Sequence, residues 1–348
     1  MVVSTLSSIK DIAKLAQVSQ GTASLVLNGK GNALRISAAT QQRILEAART
    51  LNYSPNISAR RLRSGGETVA PIIALFWTMD TRASLIGRYL KGIQESMHAQ
   101  ETEYELLVQP YVGGRIQDVK SLVTGTRFNG AIIANATDED EAFLQTTPLL
   151  VPVVLYQRYS DKFCTVNVDN EHTGQEVARL FTGRGHTHAG VIVPRVSSRA
   201  IQYRKQGFMD KAAALGLLIN PDHITEGEFS EEGGYQAAQA LLQASEDRPT
   251  ALFVLSDQMA VGVLAALREA GIGVPEDMEL VGHDDNEIAR FTVPPLTTIH
   301  FPVEEMAKAC FQMIVDVLHH QVVPPAARMF EPHLVIRQSC GEFTTANR

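Results

Sequence analysis

From residue 69 onward, short β-rich runs alternate with stretches of helical periodicity. The runs are Val69 to Phe76, Glu105 to Val108, Ala131 to Ala134, Val151 to Leu155, Gly190 to Val193, Ala251 to Leu255 and Leu280 to Val281. Strand and helix in alternation bury one another when crossover helices join parallel strands, so the pattern predicts parallel sheets in a doubly wound α/β architecture. At 348 residues the chain exceeds what one hydrophobic core organises, which leaves room for two or three domains.

The first sixty residues follow a different period. Ile9, Ile12, Ala13 and Ala16 recur at helical spacing, with Ser8 placed as an N-cap. After Gln17, Val18 and Ser19 the pattern restarts with Ala23, Val26 and Leu27, and Asn28-Gly29 supplies a stop. A third helix follows Ser37, carrying Ile44, Ala47, Ala48 and Leu51. Two short helices joined by a tight turn, closed by a third, read as an all-α helix-turn-helix domain over 1–54. Residues 55–68 read as a hinge and linker, and 69–348 as the α/β part.

Charge separates along the same boundary. Residues 1 to 66 hold nine Lys/Arg against two acids, while the remainder holds 22 against 36, so the net charge of -7 hides a basic N-terminus. Lys and Arg that displace counterions from phosphates supply most of a protein's affinity for duplex DNA, and the asymmetry points to that partner. On the second helix, Gln20, Gly21, Ser24 and Leu25 face away from the predicted core, and side chains of these kinds suit base edges in a major groove.

Several function classes lose support. No Walker glycine loop, strand-linked dinucleotide fingerprint or nucleophile-base-orienter set occurs, so the sequence is read as a non-enzyme without a cofactor. The ten histidines, among them His186, His188, His319 and His320, show no metal-ligand spacing. Three cysteines, Cys164, Cys310 and Cys340, cannot pair completely and fit a reducing compartment. Lys10, Asp11 and Lys14 interrupt the start, and no apolar run approaches the ~18 residues of a membrane span, so a cytoplasmic protein without membrane contact is expected.

The segments Ile9-Lys10-Asp11-Ile12-Ala13, Val18-Ser19, Thr22-Ala23-Ser24, Val26-Leu27-Asn28-Gly29 and Leu51-Asn52-Tyr53-Ser54-Pro55-Asn56 resemble the signature of the lactose-repressor (LacI/GalR) family. The resemblance implies that the second helix reads bases through Gln20, Gly21 and Leu25, with Ser8, Lys10, Ser19, Thr22, Ser24 and Asn28 near the backbone. It also implies a hinge helix that folds on DNA. There Asn56, Ala59, Arg60 and Leu62 meet the operator, and Leu62 wedges a base step open in the minor groove. Arg35, on the connection before the third helix, suits a phosphate as well as it suits an idle loop. Two positions depart from the family pattern: Gln17 stands where the turn usually carries Gly, and Leu25 where many relatives place a guanine-reading Arg.

The same resemblance extends over the α/β region. It implies the two-lobed fold of periplasmic sugar-binding proteins, with a small carbohydrate-like effector in the cleft between lobes. Ligands in open α/β sheets bind beyond the carboxyl ends of strands, which selects Arg158, Ser256, Asp257 and Asp284. Arg204 and Asp284 match family positions that grip ligand hydroxyls, and Phe229 one that packs an aromatic ring on the ligand, although it also fits a core. Trp77, at the end of the first strand, is open to the same two readings. Ser256 replaces the more usual Asn, and Gln157 an Asp, so the effector's identity is left open. A homodimer on a pseudo-palindromic operator follows from recognition by paired helices, and the C-terminus lacks the leucine heptads of a tetramer.

Overall fold

The computed structural model describes residues 8–27, 30–32, 34–51, 53, 70–78, 83–244 and 247–341. Asn28, Asn56, Ala59, Arg60 and Leu62, with the rest of the expected hinge, lie outside them. The chain divides into two compact units built from discontinuous segments. The first comprises Met1–Met79, Arg88–Val166 and Ala307–Arg328, and the second Asp80–Gly87, Asn167–Met306 and Met329–Arg348.

Three short helices open the first unit: α1 (Ile9–Leu15), α2 (Gln20–Leu27) and α3 (Ala38–Thr50). Their shared core is Ile12, Ala13, Ala16, Ala23, Val26, Leu27, Ile44, Ala47 and Ala48, which are the residues the helical periodicity selects. α1 and α2 are each too short to be stable alone, so this mutual burial holds them.

The first unit also holds a six-stranded sheet. Its strands are β1 (Ile72–Thr78), β2 (Glu105–Tyr111), β3 (Gly130–Ile133), β4 (Val153–Tyr156), β5 (Cys164–Val168) and β11 (Ala327–Phe330), in the order β11-β5-β4-β3-β1-β2. β1 is buried along its whole length and pairs in parallel with β2 on one side and β3 on the other, for example Phe76↔Gln109 and Phe76↔Ile133. A strand covered on both faces reads as a continuous apolar run, and Ile72 to Trp77 is one. The chain steps from β1 to β2 on one side, then reverses to β3 on the other, which is the topological switch that opens a crevice at strand carboxyl ends.

The second unit repeats the plan with β6 (Ala189–Pro194), β7 (Ile224–Gly227), β8 (Ala251–Val254), β9 (Glu279–Asp284), β10 (Thr297–His300) and β12 (His333–Val335). Their order is β12-β10-β9-β8-β6-β7, with the switch between β6 and β8 and with β12 antiparallel to β10. Four helices cover the parallel strands as two close pairs. α7 (Asn170–Gly183) packs on α8 (Arg199–Leu215), and α9 (Glu231–Ala244) on α10 (Asp257–Glu269). Glycines set both approaches: a Cβ on Gly174 would lie 2.0 Å from the Arg204 carbonyl, and one on Gly262 would lie 1.8 Å from the Glu231 carbonyl.

An all-α N-terminal region followed by α/β units with parallel sheets is the fold class expected from the sequence. The sequence pattern missed β5, β7, β10, β11 and β12. β5 reads Cys-Thr-Val-Asn-Val and is buried throughout despite its two polar residues, a composition that breaks a hydrophobic run.

Candidate functional site

In the N-terminal helices, local capping fixes the geometry. The Ser8 hydroxyl and amide both donate to Asp11 Oδ2, at 2.6 and 2.8 Å, and the Asp11 amide donates back to Ser8 Oγ, forming a capping box at the start of α1. These hydrogen bonds to Ser8 hold the Asp11 carboxyl below its ordinary range. At the other end Gln17 takes a left-handed φ of 54°, the conformation that the turn requires and that glycine supplies more cheaply. Ser19 Oγ then accepts from the Thr22 amide at 3.0 Å and shares a bond with Thr22 Oγ1, capping α2.

α2 therefore has a fixed face. Ala23, Val26 and Leu27 point into the core, Gln20 and Gly21 are exposed, and Thr22, Ser24 and Leu25 are half-buried. Lys10 is exposed on α1. Arg35 is exposed as well, with a left-handed φ of 55°.

At the strand ends of the first unit, Arg158 and Trp77 are both engaged within their own lobe. Arg158 is 4% exposed, and its guanidinium donates to the Ala136 carbonyl, to Asp138 at 2.7 Å and to Glu141 at 3.3 Å. A charge so fully matched inside its own lobe ties β4 to the start of α6 (Asp138–Thr146) and has little left to offer a ligand. Trp77 is 1% exposed and packs against Tyr89 at 5.3 Å between ring centroids, with Tyr89 in turn edge-on to Tyr156. It is a core residue in this structure.

In the second unit, Asp257 and Phe229 are likewise buried with partners in their own lobe. Asp257, at the start of α10, accepts from Thr298 Oγ1 at 2.6 Å and from the Asn286 amide at 2.8 Å, so both oxygens are used within the lobe. Complete burial, with the nearby Asp284 charge as the next cause, pushes its carboxyl well above the ordinary range. Phe229 belongs to the apolar cluster with Val193, Phe208 and Leu255.

Ser256 and Asp284 stand at the carboxyl ends of β8 and β9, and Arg204 lies on α8, the helix that follows β6. Arg204 is 5% exposed and donates to Asn170 Oδ1 at 2.8 Å. Asn170 was not singled out by sequence, although it stands just past β5 and thus obeys the strand-end rule. Asp284 accepts from His283 Nδ1 at 2.9 Å and has a φ of 114°, a conformation rarely adopted by a residue with a side chain. The Ser256 hydroxyl is buried without a hydrogen-bond partner among the described residues. Backbone held in a sparsely populated conformation, as at Asp284, clusters at ligand-binding positions. Among the described residues no three His, Cys, Asp or Glu side chains are grouped to hold a metal ion, and no helix is long and apolar enough to cross a membrane.

Residues 8–56 match the model of bacterial regulatory proteins of the lacI family, and residues 178–340 match that of the periplasmic binding protein-like domain. The chain is 30% identical over 346 residues to a probable HTH-type transcriptional repressor, ExuR, of Bacillus subtilis strain 168, covering 97% of this chain and 99% of that protein. The chain belongs to the LacI family. Within this family it is also similar to the HTH-type transcriptional repressor PurR of Vibrio cholerae serotype O1 strain M66-2, at 29% identity over 97% of this chain and 99% of that one. A solved LacI-family transcription regulator from Clostridium acetobutylicum superposes with a TM-score of 0.74 at 32% identity, covering 77% of this chain and 99% of that chain.

Proposed function

We propose that this LacI-family protein is a transcriptional repressor that binds a pseudo-palindromic operator as a cytoplasmic homodimer and responds to a small carbohydrate-class effector. The observation that carries the DNA reading is the fixed face of α2. Capping by Ser19 and the left-handed turn at Gln17 aim Gln20, Gly21 and the edge of Leu25 away from the core, on a basic domain. Helices placed in this way read base edges from the major groove while flanking side chains hold phosphates.

Leu25 supplies apolar contact, for example to a thymine methyl, in place of the bidentate hydrogen bonds an Arg gives guanine. The operator should accordingly differ from that of a relative bearing Arg there. Hinge contacts by Asn56, Ala59, Arg60 and Leu62 belong to the same proposal and rest on the sequence resemblance.

The effector reading is supported by Ser256 and Asp284 at strand ends of the second sheet, and by the buried pair of Arg204 on α8 and Asn170 just past β5. Donors and acceptors of this kind suit paired hydroxyls. A solved cellobiose complex of the regulator CelR shares the fold, with a TM-score of 0.70 at 24% identity over 96% of this chain and 99% of that one. Dimerisation is supported by the exposed apolar side chains of Ile288, Phe291 and Val293 within a single loop, the last two 70% and 88% exposed.

The test is selection from a random-sequence duplex pool by the full-length protein. Enrichment of two inverted half-sites is expected, with thymine favoured at the position Leu25 reads. Enrichment of unrelated or single-site sequences would overturn the reading.

A further inference from the structure

The second sheet ends at one edge on β7, which runs parallel to β6 with Val193↔Glu226 and Pro194↔Gly227 in register. Facing residues of paired strands share a side of the sheet. Glu226 therefore lies on the side where Val193 joins the core shared with Ile201 and Phe208 of α8. The chain leaving β6 is pinned beside it. The Arg195 amide donates to the Gly227 carbonyl at 2.7 Å, the Val196 amide turns back to the Pro194 carbonyl at 2.9 Å, and Ser198 caps α8. Between this turn, the edge strand and α8 lies a cavity of about 380 Å³.

Helical spacing separates the cavity from the polar set around Arg204. Arg204 and Gly207 face α7, where Arg204 meets Asn170 and a Cβ on Gly207 would lie 2.0 Å from the Glu171 carbonyl. Ile201 and Phe208 point into the core, and Gln202 and Lys205 lie on the flank away from α7, where they line the cavity. Its floor is apolar, formed by Val193, Val196 and Ile201.

Two opposite charges border this floor without being matched inside the protein. Arg195 has a counter-charge in Glu228, 3.5 Å away. Half-buried Lys205 and exposed Glu226 have none: neither side chain makes a hydrogen bond or ion pair among the described residues, with each other included. A simple anion is attracted by one of these groups and repelled by the other, and so is a simple cation. A zwitterion satisfies both.

The geometry points to this cavity as a second small-molecule site, for a free α-amino acid with an aliphatic side chain. Lys205 takes the carboxylate, Glu226 the ammonium group, and Val193, Val196 and Ile201 the side chain. Ligand pockets span about 300–1,000 Å³, and a cavity at the small end of that range suits a ligand of this size. The site uses none of the residues assigned to the effector and stands independently of that reading.

The experiment titrates three probes into the full-length protein by calorimetry: L-leucine, 4-methylpentanoate, which keeps the carboxylate alone, and 3-methylbutylamine, which keeps the ammonium alone. Each is measured with wild type, Lys205→Gln and Glu226→Gln at neutral pH. L-Leucine should bind wild type most tightly of the three. Each variant should weaken it about tenfold, the scale of one lost hydrogen bond between charged groups. Lys205→Gln should also weaken 4-methylpentanoate but not 3-methylbutylamine, and Glu226→Gln should do the reverse.

Absence of L-leucine binding to wild type, or binding that neither variant weakens, would overturn the site. Weakening of both single-charge probes by the same variant would overturn the assignment of the two ends. Lys205→Arg separates charge recognition from a folding effect, because it keeps the charge and should bind L-leucine within a few-fold of wild type. A loss there as large as that in Lys205→Gln would refute the role of the charge.

Discussion

Thr298 on β10 donates its hydroxyl to Asp257 on α10 at 2.6 Å, inside a lobe where that carboxyl is completely buried. Burial raises the Asp257 pKa first, and the Asp284 charge adds to it, while the bonds from Thr298 and Asn286 oppose them. A carboxyl raised in the folded state favours folding below its ordinary value of 3.8 and loses that contribution as pH rises through the folded value. Asp257→Asn removes the titration. Its melting temperature relative to wild type should therefore climb as pH increases from about 4 and level off above the folded pKa. A difference that stays constant with pH would show that Asp257 is not strained by its charge.

The α7 and α8 crossing yields a paired prediction. Gly174→Ala puts a methyl 2.0 Å from the Arg204 carbonyl and 2.6 Å from the Phe208 amide, so the helices must part. Overpacking of this kind costs about 1–3 kcal/mol, and chemical denaturation should show it. Gly183→Ala, at the far end of α7 with nothing within 4 Å, should instead be neutral or stabilising by up to about 1 kcal/mol. Equal effects at both sites would count against the glycine-mediated contact.

Leu25 is half-buried on α2. Leu25→Arg should move the preferred base at one operator position toward guanine, with a discrimination of about 1–3 kcal/mol measured by competition between duplexes. An unchanged preference would place Leu25 outside the base-reading set.

Phe291 is the bulkiest of the three exposed apolar side chains in its loop. Phe291→Asp should weaken self-association by about 2 kcal/mol or more, the scale of an aromatic anchor, and sedimentation equilibrium reads the shift toward monomer. Unaltered dimerisation would move the interface elsewhere.

Much of this was legible in the sequence where the controlling contacts are local. The Ser8 cap depends on a neighbour three residues away, and the buried face of α2 shows in the sequence as helical periodicity. Strand-end polarity was legible as well, but not what each group was doing. Arg158 is matched by Asp138 and Glu141, some twenty residues earlier, and Asp257 by Thr298, forty-one residues later. Pairings at such separations leave no periodic trace. The same holds for Gly174 and Gly207, which sit in unremarkable helical stretches and reveal their purpose only where two backbones nearly touch.

A ligand held by the second lobe should change the protein's hold on its operator. A panel of sugars and sugar acids should first be screened for a rise in melting temperature. Operator affinity is then measured with and without the ligand that produces it, for wild type and Arg204→Ala. Operator affinity should change by roughly 5- to 150-fold for wild type, the usual scale of allosteric coupling, and not at all for Arg204→Ala. A ligand that stabilises the wild-type protein while leaving its operator affinity unchanged would contradict this coupling.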